Sequence, residues 1–348
     1  QAARGLLDAV RKHMLAGSNQ YAPVAGMPEL RQAIVDKVAA LYGTAFDVEA
    51  EVTVTAGATQ AIFTAIAAFV RPGDEVIVFE PVYDSYVPAI ETVGGTALFA
   101  QLKFPDYAPD WAQVAQLISP KTRMIIVNSP HNPTGSLLTS ADLDQLEKLT
   151  RDTNIVVLSD EVYEHILFDG EQHASACGHA ELAKRSIVVS SFGKTYHITG
   201  WKIGYVVGPA ALMAEFRKVH QFNVFTVHTP SQLALAEYMS DASRHLGLAA
   251  FYQEKRDFFR NLLVQTPFEL LSCRGTYFQL ASYAGLSDLP DRAFAEWMTR
   301  EVGVAVIPVS VFYADGRDDR VVRFCFAKQE ETLISAAERL CKAFVKQR

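Results

Sequence analysis

The chain has 348 residues, 49% of them hydrophobic, and a formal net charge of -7. This length exceeds the usual size of one domain, so we expect two domains, or one large domain with a smaller lobe. The mildly acidic balance argues against a nucleic-acid-binding protein, which needs a clustered basic face. No apolar run reaches the roughly 20 residues of a membrane helix, and the first helical segment lacks the apolar core of a signal peptide.

The four cysteines lie far apart and form no C-x-x-C pair. Isolated thiols of this kind are typical of a reduced, cytoplasmic enzyme and not of a disulfide framework or a zinc site. None of the nine histidines belongs to an H-E-x-x-H motif, so we expect no metal site.

Short apolar segments alternate with helical patterns through the first two thirds of the chain. The segments are continuously apolar, which is typical of parallel strands that helices cover on both faces. We therefore predict an α/β fold with a mainly parallel sheet. The predicted strands are 51–57, 74–81, 123–130, 154–161, 186–193 and 202–208.

The pattern changes near residue 245. A helical segment at 250–266 is followed by strand patterns at 275–281, 304–312 and 320–327, and then by a closing helix. This order predicts a smaller α+β lobe. We place the large domain at 15–245 and build the small domain from 1–14 and 246–348.

Polar or small residues follow four of the predicted strands, where ligands bind in open α/β sheets. Small residues at the start of a helix let backbone N–H groups approach an anion. Each group alone has an ordinary reading as a turn, a helix cap or a solvated lysine, but their convergence favours a site. In chain order the groups are Gly57-Ala58-Thr59, Asn128 with Asn132, Asp160 with Tyr163, and Ser191 with Lys194.

Lys194 lies in a G-K-T sequence, which is the end of a phosphate-binding P-loop motif. The first glycine of that motif would stand at position 188, which is Val188. No G-x-G-x-x-G or G-x-S-x-G motif is present, so dinucleotide-binding and α/β-hydrolase sites are not supported. An amine, a carboxylate and an anion nest together suit pyridoxal phosphate: lysine bonds its aldehyde, aspartate keeps its pyridine nitrogen protonated, and the nest holds its phosphate.

The segments TAGATQAIF, NSPHNPTG, SDEVYEHI, SSFGKTYHITGWKIGY and VVRFCFAK follow one another in this order. Together they resemble the class I, fold type I aminotransferases that depend on pyridoxal phosphate, over nearly the whole chain. The resemblance implies a large domain with a mainly parallel sheet and a smaller α+β domain. It also implies a ping-pong reaction in which Lys194 forms a Schiff base and moves the substrate proton. Asp160 would pair with the pyridinium nitrogen.

The resemblance assigns further cofactor contacts. Asn132 and Tyr163 would hydrogen-bond the phenolic oxygen of the ring, and Tyr83 would stack on the ring. Tyr21 would reach the phosphate of the partner subunit, which implies an active homodimer. Lys202 stands where aspartate-specific members usually have arginine, so it offers a point charge without the bidentate fork. The phosphate contacts would be Gly57, Ala58, Thr59, Ser191 and Lys202.

Arg323 and Asn132 would bind the substrate α-carboxylate. Members specific for dicarboxylates use a second arginine, and segment 220–237 contains none. The resemblance therefore favours an apolar or aromatic amino donor and a 2-oxo acid acceptor. Methionine is expected first, followed by phenylalanine, tyrosine or kynurenine. The expected walls of the side-chain pocket are Phe225, His228 and Phe278.

Two other activities remain open at this point, together with one non-enzymatic role. A carbon–sulfur β-lyase would act on cysteine conjugates with the same scaffold, and a kynurenine–oxo-acid transaminase would differ only in its donor. A ligand-sensing regulator would want a helix-turn-helix domain, which the sequence does not contain. Family members also carry an N-terminal segment that closes over the substrate carboxylate. The chain starts after it, so we expect the segment to be either lost or disordered and substrate binding to be weaker.

Overall fold

An eight-stranded sheet forms the centre of the large lobe in the computed structural model, which describes residues 2–345. Its strands are β1 (Val52–Thr55), β2 (Glu75–Glu80), β3 (Thr96–Lys103), β4 (Ala108–Pro109), β5 (Thr122–Asn128), β6 (Val156–Asp160), β7 (Ser186–Ser191) and β8 (Gly204–Val207). Their order is β1-β8-β7-β6-β5-β2-β3-β4. The pairs from β7 through β6, β5 and β2 to β3 are parallel, whereas β8 runs antiparallel to both of its neighbours. The predicted mainly parallel sheet is therefore confirmed.

Helices cover both faces of this sheet because its strands are apolar on both sides. Along β5, Met124 and Ile126 pack into one buried cluster, whereas Ile125 and Val127 pack into another on the opposite face. This is the alternation that a strand's pleat imposes. The helices of the first 246 residues are α1 (Arg4–Leu15), α2 (Pro28–Tyr42), α3 (Gly57–Phe69), α4 (Tyr86–Thr92), α5 (Trp111–Leu117), α6 (Ser140–Thr150), α7 (Ala180–Ala183), α8 (Phe192–Thr195), α9 (Ala210–Asn223), α10 (Thr229–Met239) and α11 (Ser243–Leu246).

The smaller lobe contains a four-stranded antiparallel sheet in the order β11-β12-β10-β9, built from β9 (Glu269–Leu270), β10 (Phe278–Ser282), β11 (Ile307–Pro308) and β12 (Val321–Cys325). Its helices are α12 (Leu248–Leu263), α13 (Asp291–Trp297) and α14 (Glu330–Val345). A buried cluster rich in phenylalanine joins these helices to the sheet. Within the described residues, no helix has both the length and the apolar character needed to span a bilayer.

The strand predicted at 304–312 is wrong for most of its length. Only Ile307–Pro308 pairs with β12, and Val309–Phe312 forms a 3-10 turn. Pro308 lacks the N–H that a continuing ladder needs. Asp291 also accepts hydrogen bonds from the backbone N–H and the hydroxyl of Ser310, at 2.7 and 2.6 Å, which holds the turn against α13.

Helix α1 packs on the large lobe, which corrects the expectation that 1–14 completes the small one. Leu6 is fully buried in a cluster with Leu30, Ile34 and Leu235. Glu237 on α10 also accepts a hydrogen bond from Lys12 at 2.8 Å. Helix α10 lies beside α1 and covers its apolar stripe. The remaining domain limits, 15–245 and 246–348, stay a prediction.

Candidate active site

The carboxyl ends of β5, β6 and β7 open onto a cavity of about 250 Å³, which also receives the start of α3. Twelve of the residues predicted for the site line this cavity: Gly57, Ala58, Thr59, Tyr83, Asn128, Asn132, Asp160, Tyr163, Ser191, Lys194, Lys202 and Phe278. Parallel strands end at the same edge of a sheet, which is why side chains so far apart in sequence meet here.

Lys194 lies on the single turn of α8, directly after β7. The hydroxyl of Ser191 accepts a hydrogen bond from the N–H of Gly193 at 3.2 Å, which caps this turn and fixes where the lysine begins. The Lys194 ammonium donates to the hydroxyl of Tyr277 at 2.8 Å and lies 5.7 Å from the ring centroid of Tyr163. The amine is thus held in the cavity by aromatic side chains and carries no carboxylate partner among the described residues.

Asp160 ends β6 and is only 3% exposed. Its Oδ2 accepts a hydrogen bond from the hydroxyl of Tyr86 at 2.6 Å, and its Oδ1 accepts a longer one from the N–H of Val162 at 3.3 Å. Burial raises the pKa of Asp160 to about 6, although both hydrogen bonds act in the opposite direction. The carboxylate is therefore mostly ionised at neutral pH and can take a cationic partner from the cavity.

The start of α3 forms a concave backbone surface beside a lysine. Gly57 has φ +79°, and a Cβ there would lie 3.4 Å from Cε of Lys202. At Gly204 on β8 a Cβ would come within 3.1 Å of the backbone nitrogen of Ala58 and 2.7 Å of the carbonyl oxygen of Ser190. Small residues therefore keep the helix N-terminus open and leave room for the charged side chain of Lys202 beside it. Both features suit an anion.

Arg323 on β12 approaches the cavity from the small lobe. Its Nη1 donates to Oδ1 of Asn132 at 2.6 Å, and its guanidinium lies 4.0 Å from the ring centroid of Phe278. Burial lowers the pKa of this guanidinium, but an arginine remains charged in proteins. Although Arg323 is not among the residues that line the cavity, it bonds directly to one that does.

Tyr21, Phe225 and His228 are not brought to this cavity within one chain. Tyr21 is 82% exposed, and its ring makes an edge-to-face contact with the ring of Phe225, with the two ring centroids 5.3 Å apart. Tyr21 and His228 line a separate open groove near residues 226–230. The segment that carries Phe225 and His228 follows the end of α9 and lies beside Tyr21, away from the strand ends. The assignment of the three residues to the site stays a prediction, and for Tyr21 that prediction concerns the site of a partner subunit.

Sequence reasoning missed two tyrosines that contact the central side chains. Tyr86 donates to Asp160, and Tyr277 accepts from Lys194. Both stand beside residues that were singled out, three positions after Tyr83 and one before Phe278. Nothing in their spacing, however, shows which way their hydroxyls point.

The comparison with protein families matches residues 3–340 to the aminotransferase class I and II family. Among curated proteins, a methionine aminotransferase from Escherichia coli is 49% identical over 97% of this chain and 88% of its own length. Kynurenine–oxoglutarate transaminase 1 from Rattus norvegicus is 34% identical over 93% of this chain and 84% of its own length.

A solved structure gives the same result. The crystal structure of an Escherichia coli protein, described as identifying a methionine aminotransferase function, superposes with a TM-score of 0.96 at 48% identity. It covers 98% of this chain, which in turn covers 91% of it. The chain therefore belongs to the class I and II aminotransferase family and is an aminotransferase of fold type I.

Proposed function

We propose that this aminotransferase uses pyridoxal phosphate and takes its amino group from methionine, or from another apolar or aromatic amino acid, in a ping-pong reaction with a 2-oxo acid. The observation that carries the proposal is one cavity that contains the Lys194 amine, the buried Asp160 carboxylate and the open N-terminus of α3. These are the three groups that the cofactor's aldehyde, ring nitrogen and phosphate require.

The residues present fit the cofactor. Asp160 has a carboxylate oxygen, Oδ1, that receives only a long hydrogen bond, so it can accept the N–H of a pyridinium. Gly57 with its positive φ and Lys202 beside it offer N–H groups and a charge for a phosphate. The edge of the cavity also carries Tyr83, whose ring can stack on another ring.

When bound, pyridoxal phosphate supplies an aldehyde for amines and a ring that withdraws electrons from the substrate Cα. Asp160 keeps the ring nitrogen protonated, because an ionised buried carboxylate favours a cation beside it. Lys194, once free, is the base that moves the proton from the substrate Cα. Tyr277 accepts a hydrogen bond from the free Lys194 amine and so keeps this base inside the cavity.

Arg323 and Asn132 bind the substrate α-carboxylate in this proposal. A guanidinium pairs with a carboxylate through two parallel hydrogen bonds, which fixes the direction in which the substrate side chain points. The cavity walls include Ile62, Val162 and Phe278, and segment 220–237 has no arginine. These features favour an apolar donor, and the similarity to a methionine aminotransferase supports methionine as the first one to test.

We also propose a homodimer in which Tyr21 reaches the partner's active site. The residues Tyr21, Phe222 and Phe225 are 82%, 87% and 42% exposed in one chain. Large aromatic rings exposed together mark an interaction surface.

A cytoplasmic location agrees with the free thiols of all four cysteines.

The test is an absorbance spectrum of the purified protein loaded with pyridoxal phosphate, recorded before and after methionine is added without any oxo acid. The visible band should shift to the shorter wavelength of the aminated cofactor, with no ammonia released, and a 2-oxo acid should restore it. Release of ammonia from a cysteine conjugate would favour the β-lyase activity instead. Faster conversion by kynurenine than by methionine would favour the kynurenine transaminase. Absence of a visible band in the loaded protein would overturn the cofactor assignment.

A further inference from the structure

Tyr86 has no role in the site described so far, yet its hydroxyl touches the centre of that site. It is the first residue of α4, and its ring is 3% exposed in the buried cluster that α3 and α4 share with the sheet. The ring lies edge-on to that of Tyr83, with centroids 5.4 Å apart. The hydroxyl donates to Oδ2 of Asp160 at 2.6 Å.

This hydroxyl can act only as a donor toward Asp160. Burial, together with the nearby charge of Asp160, raises the pKa of Tyr86 well above its ordinary value, so the phenol keeps its proton at neutral pH. No other described side chain hydrogen-bonds this hydroxyl. Its single proton is therefore committed to the carboxylate, with the short separation typical of a charge-assisted bond.

The bond divides the two oxygens of Asp160 between different tasks. Oδ2 is occupied by Tyr86, while Oδ1 receives only the N–H of Val162 at 3.3 Å. Because Asp160 lines the cavity, a ring nitrogen there would meet an oxygen that still has a free lone pair. The hydroxyl therefore fixes the rotation of the carboxylate and leaves one oxygen available.

We propose that Tyr86 is a positioning residue that keeps the proton shared by Asp160 and the cofactor ring on the ring nitrogen. This inference rests on the proposed use of pyridoxal phosphate. A donor to a carboxylate stabilises its ionised form and makes it a weaker base. Without the donor, the same proton would move from nitrogen to Oδ1, with no other change in composition. The ring would then lose the positive charge on which its capacity to withdraw electrons depends.

The variant Tyr86→Phe removes the hydroxyl and keeps the ring. Tyr107→Phe is a matched control, because Tyr107 is also 3% exposed and its hydroxyl has no hydrogen-bond partner among the described residues. The other charged neighbours of Asp160, which are Glu161 and Lys194, are the same in both variants. A merely structural role for a buried tyrosine would affect folding and not the position of a proton.

The first measurement is the dissociation constant of pyridoxal phosphate for each protein, obtained from the tryptophan fluorescence of the apoenzyme as the cofactor is added. Tyr86→Phe should weaken binding by up to roughly 10- to 100-fold, which is the most that one hydrogen bond to a charged group contributes, and Tyr107→Phe should not weaken it. The second measurement is the NMR shift of nitrogen-15 in the ring of labelled cofactor. It should report a protonated nitrogen in the unmodified protein and in Tyr107→Phe, and an unprotonated nitrogen in Tyr86→Phe.

An unchanged nitrogen shift in Tyr86→Phe would overturn the inference. If the unmodified protein did not bind the cofactor, the proposed function itself would fail, so the two failures are distinguishable. Should Tyr86→Phe not fold, 3-fluorotyrosine at position 86 provides a second test, because fluorine makes the phenol a stronger donor. The nitrogen should then remain protonated to a higher pH than in the unmodified protein, and no change would contradict the proposal.

Discussion

Replacing Arg323 by lysine should weaken recognition of the amino-acid substrate and leave cofactor binding intact. Nη1 of Arg323 bonds to Asn132 at 2.6 Å, and the guanidinium lies 4.0 Å from the ring centroid of Phe278. The side chain is thus held by a polar contact and an aromatic ring, and its remaining N–H groups have no hydrogen-bond partner among residues 2–345 and can bind a carboxylate. Lysine keeps the charge but has neither the planar fork nor the stacking surface.

The size of the effect follows from the bonds that are lost. A hydrogen bond to a charged group contributes about 1.5–3 kcal/mol, and Arg323→Lys removes one of the two bonds to the carboxylate. The value of kcat/KM for methionine should therefore fall roughly 10- to 150-fold. Because Arg323 does not itself line the cavity and reaches it through Asn132 and Phe278, the dissociation constant of pyridoxal phosphate should change less than about twofold.

The assay is steady-state kinetics with methionine at saturating 2-oxo acid, together with a cofactor titration. Arg320→Lys is the matched control, because Arg320 is an arginine three residues earlier that bonds Asp288 at the surface, at 3.1 Å. It should retain the kcat/KM of the unmodified protein. A normal kcat/KM in Arg323→Lys would refute the carboxylate assignment, and a loss confined to cofactor affinity would place Arg323 in a different role.

Three further predictions concern groups that are buried or partly buried. Lys194→Ala should fold with an unchanged melting temperature and show no conversion of methionine; a variant that retains transamination would contradict the assignment. Asp160→Asn should lose turnover by orders of magnitude. Burial raises the pKa of Asp160 to about 6, so the folded protein loses stability as this carboxyl ionises. Asp160→Asn should therefore stabilise the apoenzyme above pH 6 by up to about 3 kcal/mol, and this gain should vanish as the pH falls toward 4. Urea titrations at several pH values measure the difference. Glu164 bonds Lys37 at 2.6 Å, and this ammonium holds the pKa of Glu164 well below its usual range despite burial. Glu164→Gln should therefore lower the free energy of unfolding at pH 7 by about 3 kcal/mol, with a smaller loss at acidic pH. Equal urea midpoints for the variant and the unmodified protein at pH 7 would contradict this prediction.

Local patterns in the sequence predict the sheet and most of the residues around the cavity. Continuous apolar runs predicted the parallel strands, and the polar residues directly after them, such as Asn132, Asp160 and Lys194, had to meet because neighbouring parallel strands end at one edge. The chemistry of the site was therefore readable from local pattern and strand order. The strand predicted at 304–312 failed because a proline and a side-chain contact with Asp291 turn the chain there.

The contacts that join distant segments depend on the packed fold and follow from no local pattern. Asp160 and Tyr86 are separated by 74 positions, and Asn132 and Arg323 by 191. Helix α1 lies on α10 for the same kind of reason, since its apolar stripe fits any apolar neighbour and the packed fold selects one. A periodic pattern fixes which face of an element is buried but contains no information about what covers that face. The direction of one hydroxyl, and with it the partner of Asp160, depends on how whole elements pack.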